Sequence, residues 1–236
     1  MAALLVTLVI VLPWFGALAV WLARNKHPRL QHTLAVLFSV LTAITSLVLL
    51  TFASTSPAIQ IPLGKAFGEL TFVPDGLAVS LTAIAAVVGS LAVIFSGDYM
   101  HGEEQLGRYY FLVLFFIGAM TGLVLSGNLL FTFFFWEITA LCSYGLISFY
   151  NDDPRAVAAG MKALIITQVG GVGLLVGTLI ALTNLGSFQI EDLLSNASAL
   201  PAASLALIAF SFMLAAAAKS AQFPFHVWLP DAMEAP

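Results

Sequence analysis

The sequence predicts an all-α integral membrane protein with seven transmembrane spans, the seventh a broken helix. Three observations carry that reading. Of 236 residues, 61% are hydrophobic and only 8% charged, against about 25% charged in a soluble domain, so a water-soluble fold would lack the polar surface to cover itself. Seven apolar runs reach the roughly 20 residues a helix needs to cross the hydrocarbon core. The basic residues of the short loops fall almost entirely on one side, the asymmetry that sets membrane orientation.

In chain order the spans are expected near 2–23, 32–53, 76–97, 109–126, 128–149, 156–183 and 202–229. The first has no basic residue before its apolar stretch and "RNKHPR" after it, the order of a retained helix rather than a cleaved leader. The fourth and fifth are separated only by "SGN" (126–128), which predicts a tight helical hairpin. The sixth and seventh exceed one crossing, which tilt or an interruption within the membrane would explain.

Arg24, Lys26 and Arg29 follow the first span, Arg108 precedes the fourth, and Arg155 lies between the fifth and sixth, whereas Lys65 alone falls on the other side. This asymmetry predicts an outside N-terminus in a cell (inner) membrane, with cytoplasmic loops after spans one, three and five. The outer loop 54–75 contains two β-compatible stretches and predicts a hairpin. In the loop 184–200, "SFQIEDLLSNA" predicts a surface helix with Ser187 as its cap and Glu191 and Asp192 in its first turns. Asn196-Ala-Ser198 fits the glycosylation pattern, which carries little weight in a chain of this kind. A single cysteine, Cys142, provides neither a disulfide framework nor a metal cluster, and a net charge of −4 argues against a nucleic-acid partner.

The chemistry falls to the few charges inside the spans. Each costs at least about 2.5–3.5 kcal/mol at a helix centre, and such residues generally face other helices or water. Glu137, mid-span in "FTFFFWEITALCSYG", shares a helical face with Tyr144 and Ser148. That face points to a role in proton transfer, against a structural carboxyl kept neutral by protonation. Lys162 lies about two turns inside its span, with Gly170, Gly173 and Gly177 on roughly its side. Snorkelling to the surface and a functional place in a closely packed face both suit it. Lys219 precedes Pro224, whose missing N–H and ring predict a break about one turn after the lysine. Broken helices at membrane depth survive where protein or a hydrated cavity covers them, so a lysine there can exchange protons. His226, just past the break, is either a structural donor or a relay member.

The strings "KSAQFPFHVWLPDAMEAP" (219–236), "FFWEITALCSYGLISF" (134–149) and "GMKALIITQVGG" (160–171) resemble the antiporter-like membrane subunits. "GDYMHGEEQLGRYYFLVLFF" (97–116) and "PDGLAVSL" (74–81) fit the same pattern. That family is shared by Mrp-type multisubunit Na+/H+ antiporters, respiratory complex I and membrane-bound hydrogenases, and "QFPFHVWLPDAMEAP" is closest to the large A subunits of Mrp antiporters. The resemblance implies a larger antiporter-like fold with inverted five-helix repeats, each holding a broken helix. It divides this chain into an N-terminal three-helix segment with an outer hairpin loop (1–108) and an incomplete first repeat of spans four to seven (109–236). It implies that Glu137 and Lys219 are the key carboxylate and lysine and that Lys162 matches a sixth-helix lysine. Gln168 and Gly171 stand where some respiratory relatives carry charge. The family pattern continues past "PDAMEAP" into an eighth helix, so the chain is expected to be the N-terminal part of a longer subunit.

The leading expectation is a proton-translocating subunit of a monovalent cation (Na+)/proton antiporter, with a buried Glu137–Lys219 pair whose contact governs the lysine's proton. Its transported ions would be H+ and Na+, with no cofactor or bound metal, and its partners other hydrophobic subunits and the lipid bilayer. It would be a secondary transporter subunit, not an enzyme. The alternative is a proton-pumping subunit of a complex I-like or hydrogenase-type redox complex. A third reading, a structural subunit with a vestigial channel, leaves the three intramembrane charges without a purpose.

Overall fold

The computed structural model describes residues 1–23, 27–52, 58–62, 64 and 69–236. Arg24 and Lys26 of the orientation argument, Lys65, and most of the loop 54–68 lie outside the described residues. Among the described residues, seven helices are long and apolar enough to cross a membrane, and the chain is a multi-pass membrane protein. The helices group into two compact units, Met1–Ile59 with Val73–Leu125, and Gln60–Phe72 with Ser126–Pro236.

The first unit holds α1 (Ala2–Leu22), α2 (Pro28–Leu50), α3 (Gly76–Tyr99) and α4 (Leu106–Leu125). In lipid, helices gain little from burying apolar side chains against one another, so close packing and small residues hold them together. Gly118 shows this: a Cβ there would run into the Trp14 indole, whose Nε1 donates to the carbonyl of Phe115 at 3.1 Å. Ala17, Val20, Ala35, Val93, Tyr110, Leu114 and Ile117 form the core. Asp75 caps α3, its carboxylate accepting from the N–H of Ala78 at 2.7 Å. This packing unit includes α4, whereas the repeat boundary implied by family resemblance falls before span four. Packing neighbours and repeat membership are different divisions of one chain.

In the second unit, β1 (Ile59–Pro62) and β2 (Glu69–Phe72) pair into a two-stranded sheet, as the β-compatible stretches of this loop predict. α5 (Leu129–Ile147), α6 (Pro154–Leu185), α7 (Ile190–Asn196) and α8 (Ala202–Lys219) follow. Asn128, fully buried, joins strand to helix: its Oδ1 accepts from the N–H groups of Leu130 and Phe131, and its Nδ2 donates to the carbonyl of Glu69 at 2.8 Å. α6 is one uninterrupted helix of 32 residues. At 1.5 Å per residue it is about 48 Å long, well beyond a hydrocarbon core of about 30 Å, so its excess length calls for tilt. It starts on Pro154 behind the capping carboxylate of Asp153, and ends at Gly186, whose φ of 69° is the left-handed conformation that glycine adopts without strain. α7 begins two residues later than the proposed Ser187 cap. The Ser187 hydroxyl donates to the Asp192 carboxylate and its oxygen accepts from the N–H of Gln189 at 3.1 Å, a turn that precedes the helix, and Gln189 takes the N-cap position without a side-chain bond.

The break in the seventh span occurs earlier than proline alone predicts. α8 stops at Lys219 itself, and two short 3-10 turns follow, Phe225–Trp228 and Asp231–Glu234. The stop is a Schellman closure: the N–H of Gln222 bonds the carbonyl of Ala217 at 2.9 Å, the N–H of Ala221 that of Ala218 at 3.4 Å, and Ala221 takes φ 51°. The helix is thus already closed when the chain reaches Pro224. A left-handed alanine is strained by its Cβ, so Ala221→Gly is expected to stabilise the full-length protein by about 1 kcal/mol. A raised thermal unfolding midpoint in detergent would show it; a lowered one would remove the Schellman account.

Candidate functional site

Within the second unit, α5 presents polar groups both to α6 and to the end of α8. α6 and α8 approach closely because glycine lines the seam. A Cβ at Gly170 would lie 2.8 Å from the Cβ of Ala218, and one at Gly173 2.9 Å from the carbonyl of Ser211. The small face near Lys162 in sequence is therefore a helix-packing face against α8, as expected for such residues. Ala215 and Ala218, the small residues that precede Lys219, seat against it.

Glu137 sits near the middle of α5, facing α6. Its Oε2 accepts from Gln168 Nε2 at 2.6 Å. Its Oε1 is buried and receives no hydrogen bond from any described residue. Gly171 makes room for that oxygen, because a Cβ at this position would collide with Oε1. On the polar face read from the sequence, the Ser148 hydroxyl donates to the carbonyl of Tyr144 at 2.7 Å, and Gly160 of α6 lies against both residues.

Lys219 ends α8, where a cation complements the negative end of the helix dipole. Its Nζ donates to Thr139 Oγ1 at 3.0 Å and lies 5.3 Å from the centroid of the Trp136 ring, within cation–π range. Thr139 is fully buried and spends its own hydroxyl proton on the carbonyl of Trp136 at 2.7 Å. Its oxygen is therefore left to accept from the lysine. Glu137 and Lys219 interact electrostatically, but no direct ion pair joins them among the described residues.

The expectation of a buried pair is corrected. Glu137 and Lys219 are each half-buried, and no charged side chain is fully buried among the described residues. The physical reason is local. α8 ends at Lys219, so no further helical turn covers the ammonium.

Lys162 is drawn elsewhere. Its Nζ forms an ion pair with Asp231 Oδ2 at 2.6 Å, with side chains 45% and 44% exposed. Asp231 belongs to the 3-10 turn that follows the broken helix. The same segment rests on α5 and α6 through Trp228, Ala232 and Ala235, which pack on Ile147, Ala159 and Ala163. Trp228 Nε1 donates to the carbonyl of Ala218 at 3.1 Å, a second bond to a carbonyl that also accepts from the N–H of Ala221 at the helix end. His226 is exposed and stacks on Phe223 with ring centroids 5.8 Å apart.

Sequence reasoning named Gln168 as a departure from relatives but did not assign it to Glu137, and it did not single out Thr139, Trp136 or Asp231. Gln168 was legible in part, since it lies within one turn of Gly171 on the polar side of α6. Thr139 was not, because it is two residues from Glu137 and so points away from the carboxylate's face. Among the described residues no group of His, Cys, Asp and Glu side chains is arranged to hold a metal ion.

Residues 126–236 match the family model described as NADH:quinone oxidoreductase/Mrp antiporter transmembrane region. Residues 61–110 match that of the N-terminus of chain 5 of NADH-ubiquinone oxidoreductase, complex I. A Na(+)/H(+) antiporter subunit A1 from Staphylococcus haemolyticus is 42% identical over 163 residues, which are 69% of this chain and 20% of the relative. The subunit A1 of Staphylococcus aureus is 41% identical over the same length and shares. The chain thus spans about one fifth of these relatives. A structure of the Mrp complex from Dietzia sp. DQ12-45-1b superposes with a TM-score of 0.87 at 27% identity, over 98% of this chain and 25% of that one. The membrane-bound sulfane sulfur reductase, an archaeal respiratory membrane complex, superposes with a TM-score of 0.84 at 23% identity, over all of this chain and 48% of that one, a likeness of fold. The chain belongs to the family of membrane subunits shared by NADH:quinone oxidoreductases and Mrp antiporters, and within it corresponds to the N-terminal part of the A subunits of Mrp-type Na+/H+ antiporters.

Proposed function

We propose that this chain is part of a proton-translocating subunit of a multisubunit monovalent cation (Na+)/proton antiporter, with Glu137 and Lys219 as its half-buried transfer pair. The observation that carries the reading is the 42% identity to a Na+/H+ antiporter A subunit over a stretch of 163 residues. The placement of a carboxylate and a lysine on facing helices of the second unit supports it. Transport belongs to the longer subunit and its complex, with other hydrophobic subunits and the lipid bilayer as partners, H+ and Na+ as transported ions, and no redox cofactor in this chain. The basic residues that follow the odd-numbered spans favour a cell membrane with the N-terminus outside.

The mechanism follows from desolvation. A half-buried ammonium holds its proton according to whether a carboxylate lies beside it. Motion of Glu137 toward or away from Lys219 would therefore load or release a proton at Nζ. Lys162 and His226 would link this pair to the cytoplasmic side, Lys162 through the Asp231 turn that also holds the broken end of α8, and Pro224 keeps that end from resuming a helix.

The test measures the pH gradient in everted vesicles carrying the full-length complex, with and without Na+. Wild type should show sodium-dependent proton movement, and Lys219→Ala should lose it while the complex still assembles. Undiminished movement in Lys219→Ala would remove the lysine from the mechanism. Proton movement driven by a reductant such as NADH and indifferent to Na+ would establish the redox-complex reading instead.

A further inference from the structure

Glu137 and Lys219 are each engaged, but by neutral partners rather than by each other. Gln168 holds Glu137 Oε2 from α6, and Thr139 holds Lys219 Nζ from α5. The two partners share a property that a charged residue lacks. An amide can donate to a carboxylate or accept from a carboxylic acid, so Gln168 can retain Glu137 in either protonation state. Thr139 has already given its proton to the carbonyl of Trp136, so its oxygen accepts from an ammonium or an amine alike.

One oxygen of the carboxylate remains without a donor. Oε1 is buried, bonded to no described residue, and kept in place by the missing Cβ of Gly171. A buried acceptor with no partner is costly, and it is the atom of Glu137 available to a donor that arrives later. We infer that Gln168 and Thr139 are positioning residues that hold the pair parted, and that the pair closes when Lys219 Nζ leaves Thr139 for Glu137 Oε1. Gln168 keeps the carboxylate oriented during that exchange, and Gly171 leaves it room to turn.

The inference rests on the reading of Glu137 and Lys219 as the transfer pair and adds the groups that set its open state. Among the described residues, the titratable groups bearing on the pair beside its own two members are Cys142 on α5, which interacts electrostatically with Lys219, and Tyr144, on the Glu137 face of α5. Lys162 on α6 is committed to Asp231.

The experiment follows the Glu137 carboxyl directly, by pH-difference infrared spectroscopy of the purified full-length complex, its band identified by loss in Glu137→Gln. Thr139→Val should shift the Glu137 titration midpoint by about one pH unit when Lys219 is present. It should leave the midpoint in place in a Lys219→Met background. Thr139→Ser, which keeps the hydroxyl, should titrate as wild type. Gln168→Leu removes a donor to Glu137 itself, so it should shift the midpoint by about one pH unit in both backgrounds. A Thr139→Val shift that is absent, or equal with and without Lys219, or a Gln168→Leu shift that is absent, would overturn the inference. Because the readout is not transport, a complex that shows this coupling yet moves no protons with Na+ would defeat the proposed function and leave the positioning roles standing.

Discussion

A backbone that stops being helical within a membrane must find partners for its freed carbonyls, and the second unit is arranged around that demand at the end of α8. The last turn presents the carbonyls of Ala216, Ala217 and Ala218 to a chain that no longer continues the helix. Ser220 bonds the first, Gln222 the second, and the indole of Trp228 the third. Trp228 reaches back because its segment is itself seated on α5 and α6, through the apolar cluster around Ala159 and Ala163 and through the Lys162–Asp231 pair. Lys219 is fixed at the helix end as a result, with the favourable end of the dipole behind it and Thr139 and Trp136 in front.

The same economy of size governs the other half of the site. α6 meets α8 through Gly170, Gly173 and Gly177, and it meets Glu137 through Gly171. Where α6 needs polarity it uses an amide, Gln168, rather than a second charge. A carboxylate beside a neutral donor, and a lysine beside a neutral acceptor, can exchange partners without stranding a charge in an apolar surrounding, where an uncompensated charge is costly. The departure of this chain from relatives that carry charge at these α6 positions is in this light a coherent local chemistry.

Much of this architecture is legible in the sequence, because hydropathy and length report directly on membrane spans. The starts of α3, α5 and α6 could be placed from Asp75, Asn128 and the Asp153–Pro154 step, since capping is a local property. The end of α8 was less legible. Pro224 announces a break, but the actual stop uses a left-handed alanine, and alanine is ordinarily a helix former. Ser187 misled because its hydroxyl, bonded to the Asp192 carboxylate and to the N–H of Gln189, closes a turn before the helix begins. Glu137 and Lys219 stood out by their cost in an apolar span. Their partners did not, since Thr139 and Gln168 are unremarkable in composition and only tertiary packing brings them to the pair across 80 and 31 residues of sequence. The degree of burial was likewise a tertiary fact, set by where α8 ends.

The central claim is that Glu137 and Lys219 act as one unit. A double-mutant cycle on sodium-dependent proton flux of the full-length complex tests it most directly, comparing Glu137→Gln, Lys219→Met and the double variant. A coupled pair predicts a double variant no more impaired than either single one. Losses that simply multiply would show two independent residues and contradict the account.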